Sequence, residues 1–208
     1  MLPLASIAVD ATTVYWANDP LVDTQSLMTA PLDGGPAALV ASSAHTGSAA
    51  LKFAVDHTTV CWTDPGAALD DPSGAAIRMR PIIGGSTRKF ASAEGAPTAI
   101  VADADFVYWK TADAVLRAPK RGGPPTTIAA LAHTDVLRDG IAVDDANVYV
   151  TSGEGTIVKL AKGGVGTPVI LVSGQTPTAI AVDDHSVYWT TWDASATDVG
   201  AIMRLTPK

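Results

Sequence analysis

Five times in 208 residues the chain spells an apolar run, an aspartate, a short polar step and an aromatic-rich run. The copies are "IAVDATTVYWAN" from Ile7, "FAVDHTTVCWTD" from Phe53, "IVADADFVYWKT" from Ile100, "IAVDDANVYVTS" from Ile141 and "IAVDDHSVYWTT" from Ile180. Their anchors are Asp10, Asp56, Asp103, Asp144 and Asp183, spaced by 46, 47, 41 and 39 residues. A valine follows each anchor by four positions, and Trp16, Trp62, Trp109, Val150 and Trp189 follow by six. A period near 40 to 47 residues without helical patterning predicts the blades of a β-propeller.

The rest of each unit fits a four-stranded antiparallel blade. The "IAVD" run makes the first strand and "VYW" the second. A third reads "SLMTAP", "AIRMRP", "AVLRAP", "TIVKLA" or "AIMRLT". Glycine pairs follow it in four copies, at Gly34-Gly35, Gly84-Gly85, Gly122-Gly123 and Gly163-Gly164, and suit a tight hairpin that needs positive φ. The fourth strands are then "PAALVASS", "STRKFASA", "PTTIAALA" and "PVILVSG". With 18 Gly, 14 Pro and only 17% charged residues, the composition agrees with many short strands and tight turns. The first strands are apolar at successive positions, which predicts cover on both faces.

Five equivalent aspartates cannot each be the centre of a catalytic site. An Asp at the first corner of a turn accepts a hydrogen bond from the amide two residues on, and that structural role is the expected one. Asp183-Asp184-His185 therefore reads as a turn, with His57 and His185 facing solvent. The tryptophan column could be a stacking platform, but its fixed strand position favours packing between blades. Cys61, the only cysteine, stands in a column otherwise held by Tyr15, Tyr108, Tyr149 and Tyr188, and reads as an inert buried thiol. Arg80, Arg117, Lys159 and Arg204 read as strand-edge cations.

These units resemble the YWTD-type propeller repeats of receptors, and especially the secreted or lipoprotein propellers of bacteria in which "IAVDxxxVYWT" alternates with "PLDGG". The resemblance covers nearly all of the chain, with Val150 departing furthest from the motif. It implies the fold and, by analogy alone, an extracellular or periplasmic location; it does not carry a ligand across, because fold does not fix function. Receptor propellers of this type have six blades, whereas five units are present here. The preferred arrangement is one domain over 1–208, a five-bladed ring whose last blade has three strands. A fragment of a larger propeller and an assembly of chains that complete each other's open edges are the alternatives.

Connections between the first and second strands, and between the third and fourth, are uniformly short. Length varies at the other ends of the blades: "ANDPLVDTQS", "TDPGAALDDPSGA" and "TTWDASATDVGA" in copies one, two and five. A site is expected on the elaborated face. Its candidate ligand-binding residues are Asp19, Asp23, Asp64, Asp70, Asp71, Trp192, Asp193 and Asp198, with His45 and His133 nearer the channel mouth. One reading of these acids is a solvated surface; another is a groove for a cationic, protein or peptide ligand; a third is a calcium site. No other cofactor is expected. The net charge of −7 argues against nucleic acid, no apolar run is long enough to span a membrane, and "MLPLASIAVD" lacks the pattern of a signal peptide. No phosphate loop, nucleophile elbow or zinc-binding helix motif occurs. A non-catalytic binding module that presents this acidic face to a protein, peptide or small ligand is the preferred function, and a metal-dependent hydrolase or lyase centred at the channel mouth is the alternative.

Overall fold

The structure, a computed structural model, describes residues 4–18, 25–43, 51–56, 58–64, 74–131, 140–192 and 200–208. Nineteen strands form five antiparallel sheets, and no α-helix occurs among the described residues. The first sheet runs β1 (Leu4–Val9), β2 (Thr13–Asn18), β3 (Gln25–Pro31), β4 (Ala38–Ser43), and the second β5 (Phe53–Val55), β6 (Thr59–Asp64), β7 (Ala76–Pro81), β8 (Arg88–Ser92). The third holds β9 (Ala99–Ala102), β10 (Phe106–Lys110), β11 (Ala114–Pro119) and β12 (Thr126–Ala130). The fourth holds β13 (Ile141–Val143), β14 (Asn147–Thr151), β15 (Ile157–Ala161) and β16 (Val169–Val172). The last has three strands: β17 (Pro177–Val182), β18 (Val187–Trp192) and β19 (Gly200–Leu205). Strands pair in sequence order within every sheet, which is the five-bladed β-propeller that the repeat predicts.

Register repeats as faithfully as sequence. Asp10, Asp56, Asp144 and Asp183 each precede a hairpin that pairs the valine of the second strand with the last residue of the first, as in Val9↔Val14 and Val182↔Val187. A bulge recurs between third and fourth strands, where the register shifts after Leu27, Ile77, Val115 and Ile157. The skipped residues are Val40, Phe90, Ile128 and Leu171, all partly buried. An extra residue at this point sharpens the local right-handed twist of the outer strand.

By contacts the chain divides into two compact units, Met1–Val107 with Ala118–Pro125 and Tyr108–Arg117 with Thr126–Lys208. In the first, Tyr15, Ala17, Leu27, Leu51, Phe53, Val60 and Trp62 form a buried cluster against which Val40, Val55 and Ile82 pack. In the second, Tyr149, Ile157, Val187 and Trp189 form a cluster that Leu171, Ile180 and Leu205 cover. Trp62, Trp109, Val150 and Trp189 are buried, so the tryptophan column is core, with Trp16 only half-buried. Each buried ring of this size contributes on the order of 2–3 kcal/mol by burial alone.

Two details depart from expectation. Ile7 and Val9 in β1 are 64% and 58% exposed, and Ala179 and Ala181 in β17 are exposed too. A strand sends alternate side chains to opposite faces, and within its unit each of these strands packs against a neighbouring sheet on one side, β1 on β5 and β17 on β13. In the fourth sheet the positive-φ glycines are Gly164 (φ 70°) and Gly166 (φ 117°), not the Gly163-Gly164 pair. Gly164 donates its amide to Ala161 as Gly122 does to Pro119, so Gly164 takes the place of the first glycine of the pair in other copies.

Candidate functional site

The five anchor aspartates build one arrangement five times. Each Oδ1 accepts the amides two and three residues on: Thr12 and Thr13 at Asp10 (2.8 and 2.9 Å), Thr58 and Thr59 at Asp56 (2.7 and 2.8 Å), Asp105 and Phe106 at Asp103 (3.0 and 2.8 Å). Ala146 and Asn147 serve Asp144 (2.9 and 2.7 Å), and His185 and Ser186 serve Asp183 (2.8 and 2.7 Å). Each anchor's own amide donates to the carbonyl three residues on, from Thr13 to Ser186. Asp10, Asp144 and Asp183 also accept a tyrosine hydroxyl at Oδ2, from Tyr15, Tyr149 and Tyr188. The turn is thereby closed by its own carboxylate, and the opening residues of each hairpin are structural. His185 is exposed, as expected; His57 lies outside the described residues.

A lysine just past the third strand adds a feature the repeat pattern did not reveal. Lys120, Lys162 and Lys208 donate their amides to the carbonyls of Asp105, Ala146 and His185, the place that Leu32 and Ile82 hold in the first two copies. Their ammonium groups reach the preceding sheet. Lys120 pairs with Asp56 and donates to the Asp103 carbonyl; Lys162 stands 5.5 Å from the Tyr108 ring centre; Lys208 is 2.8 Å from Asp144 Oδ2 and 5.6 Å from the Tyr149 ring centre. Burial alone would raise the Asp144 carboxyl, but Lys208, the Tyr149 hydroxyl and the two turn amides outweigh it and hold it far below the usual carboxylate range. Burial and the same carboxylate push the Tyr149 phenol up. At Asp10 the Thr12 amide is the chief cause of a lowered value. A cavity of about 480 Å3 lies by Lys208 between the turns at Asp144-Asp145 and Asp183-Asp184. The Asp144 and Asp183 carboxylates beside it are already engaged.

Of the residues expected on the elaborated face, Asp64 is described: it ends β6, half-buried, and pairs with Arg78 of β7. Trp192 ends β18, where its backbone pairs with Gly200. Asp19, Asp23, Asp70, Asp71, Asp193, Asp198, His45 and His133 lie outside the described residues. Lys110, at the end of β10, is a buried cation that sequence reasoning missed; its ammonium donates to the Thr151 carbonyl at 2.9 Å. No group of three or more metal-ligating side chains occurs among the described residues, and no described helix is long and apolar enough to cross a membrane. Cys61 is buried, and burial pushes its thiol up to about 12.

Fold and turns together define the class: a propeller whose repeated hairpins are self-closed. Solved structures agree on the fold. The chain is 19% identical to a chain in a nidogen/laminin complex, with a TM-score of 0.74, covering 99% of this chain and 76% of that one. It is 16% identical to a puromycin-hydrolyzing peptidase of Mycobacterium tuberculosis (TM-score 0.71), covering 99% of this chain and 35% of the peptidase. A computationally designed protein, Ika8, matches at 14% identity and a TM-score of 0.57, over 89% of this chain and 67% of that one. No protein-family model matches the chain, and no curated protein matches it.

Proposed function

We propose that the chain is a non-catalytic binding module that presents the elaborated ends of its blades to a positively charged protein or peptide. The observation that carries this reading is the contrast between the two ends of each blade. At one end the five turns are short, alike and satisfied by their own carboxylates. At the other, connections differ in length and carry Asp19, Asp23, Asp70, Asp71, Asp193 and Asp198, beside Asp64 and Trp192. A scaffold that repeats itself at one end and varies at the other offers specificity where it varies. The nidogen/laminin complex supports the reading, since a propeller of this fold is solved there in the company of a partner.

The test is binding of basic peptides, arrayed and read by surface plasmon resonance, to the wild type and to a variant carrying Asp70→Asn, Asp71→Asn, Asp193→Asn and Asp198→Asn. The expected result is at least a tenfold loss of affinity with an unchanged melting curve; equal affinity would defeat the proposal. The hydrolase or lyase alternative is tested separately: it requires that calcium or magnesium added to metal-free protein raise the melting temperature, by linkage of binding to folding.

A further inference from the structure

Between the outer strands of the first two sheets, within one compact unit, lies a cavity of about 400 Å3. Its walls are mostly apolar, formed by Pro31, Leu39, Val40, Val60 and Ile82 around the Tyr15 ring. Two polar groups on it lack the partners their chemistry asks for. Thr29 Oγ1 is buried and makes no hydrogen bond with a described residue; the nearby Tyr15 phenol is pushed up, chiefly by burial, and Thr29 offsets only part of that rise. Arg80 Nη1 donates to the Val40 carbonyl at 2.9 Å, and no carboxylate pairs with its guanidinium among the described residues.

Arg80 is also out of keeping with the repeat. It pairs with Val60 as Ala30 pairs with Val14, Leu160 with Val148 and Leu205 with Val187. The other copies place an apolar side chain there, Leu160 being buried. The Val40 carbonyl is free to accept because Val40 is the bulged residue, whose backbone drops out of the ladder. Ile82, where later copies carry the crossing lysine, packs on the cluster that holds Tyr15. Among the described residues that line this wedge, no lysine competes with Arg80 or stands ready to neutralise an acid.

We infer that the wedge binds a small apolar carboxylic acid, its carboxylate held by the Arg80 guanidinium and the Thr29 hydroxyl and its hydrocarbon against Ile82, Leu39 and Val60. A guanidinium fork matches a carboxylate with two parallel donors, and a hydroxyl supplies a third. The volume lies at the small end of ligand pockets, which run roughly 300 to 1,000 Å3, and suits a body of about ten heavy atoms.

Octanoate is the probe, titrated into the full chain and followed by amide chemical shifts. Shifts centred on Leu39, Val40 and Ile82 are expected. 1-Octanol should bind at least about tenfold more weakly, and Arg80→Gln should weaken octanoate by about tenfold or more, since the guanidinium supplies charge-assisted hydrogen bonds that a glutamine amide does not. Thr29→Val keeps the shape and removes a buried oxygen, so it stays folded and should cost a few-fold in octanoate affinity. Equal binding of octanol and octanoate, octylamine binding in octanoate's place, affinity unchanged in both variants, or shifts elsewhere on the chain would each overturn the inference.

Discussion

One side chain shows how much this fold asks of a single carboxylate. Asp144 accepts two amides, a phenol and an ammonium, and it is partly buried while doing so. Its native value is depressed, so the stabilisation is complete above the ordinary carboxylate range near about 4 and is lost as pH falls through the lower native value. Asp144→Asn should cost about 1–3 kcal/mol in urea unfolding at pH 7 and should flatten the loss of stability between roughly pH 5 and 2. Cys61 makes the opposite case. With its thiol buried and raised to about 12, it should resist a thiol reagent in the native protein and react only on unfolding. The aspartate role was legible from residues alone, because five copies at one spacing with variable neighbours point to a turn. Its tyrosine and lysine partners were not. The lysines act across sheets, Leu32 and Ile82 break their column, and nothing within a single repeat says which neighbour it will touch.

Among the elements, turns and edges differ in how much change they tolerate. Gly84 has a φ of 64° and open space where a Cβ would go, whereas a Cβ at Gly155 (φ 75°) would fall 2.2 Å from the Gln175 carbonyl oxygen. Gly84→Ala should therefore cost about 1 kcal/mol, and Gly155→Ala at least about 2–3 kcal/mol more, read from thermal melts. Gln175 is itself tied in: its amide donates to the Gly155 carbonyl and its side chain accepts the Trp189 indole. The last sheet stops at β19, which pairs with β18 alone among the described strands and leaves Ile202 82% exposed. Open edges invite pairing, so Ile202→Lys should lower any self-association seen by light scattering at high concentration, with little effect on melting. Strand order and type were readable from the period and the glycines. The recurrent bulge was not, because an apolar residue inserted at Val40 or Phe90 looks like one more strand residue until pairing is known. Copy four misled for a related reason: two adjacent glycines drew attention to Gly163, while the hairpin needed Gly164 and Gly166.

For the whole molecule, a charge of −7 on 208 residues bears on partners more than on folding. Affinity for a basic peptide should fall several-fold between 50 and 300 mM salt, because exposed charges are screened beyond about 10 Å at 0.1 M. A salt-independent constant from calorimetry would point instead to an apolar interface. The class of fold was plain in the sequence, since a period repeated five times leaves few architectures. The candidate face was legible only as an excess of length and acid, because variable connections follow no period and carry no register. The wedge at Arg80 was hidden in plain view as one cation among several at strand ends; its setting depends on a bulge in one sheet and an isoleucine in the next. The self-closed turn has a consequence for building as well as for understanding. Because the carboxylate that bends the backbone belongs to the same four-residue turn, the hairpin is a portable cassette. A copy moved to another blade, or grafted onto a different antiparallel pair, should keep its bend wherever the residue past the third strand again donates its amide to the turn.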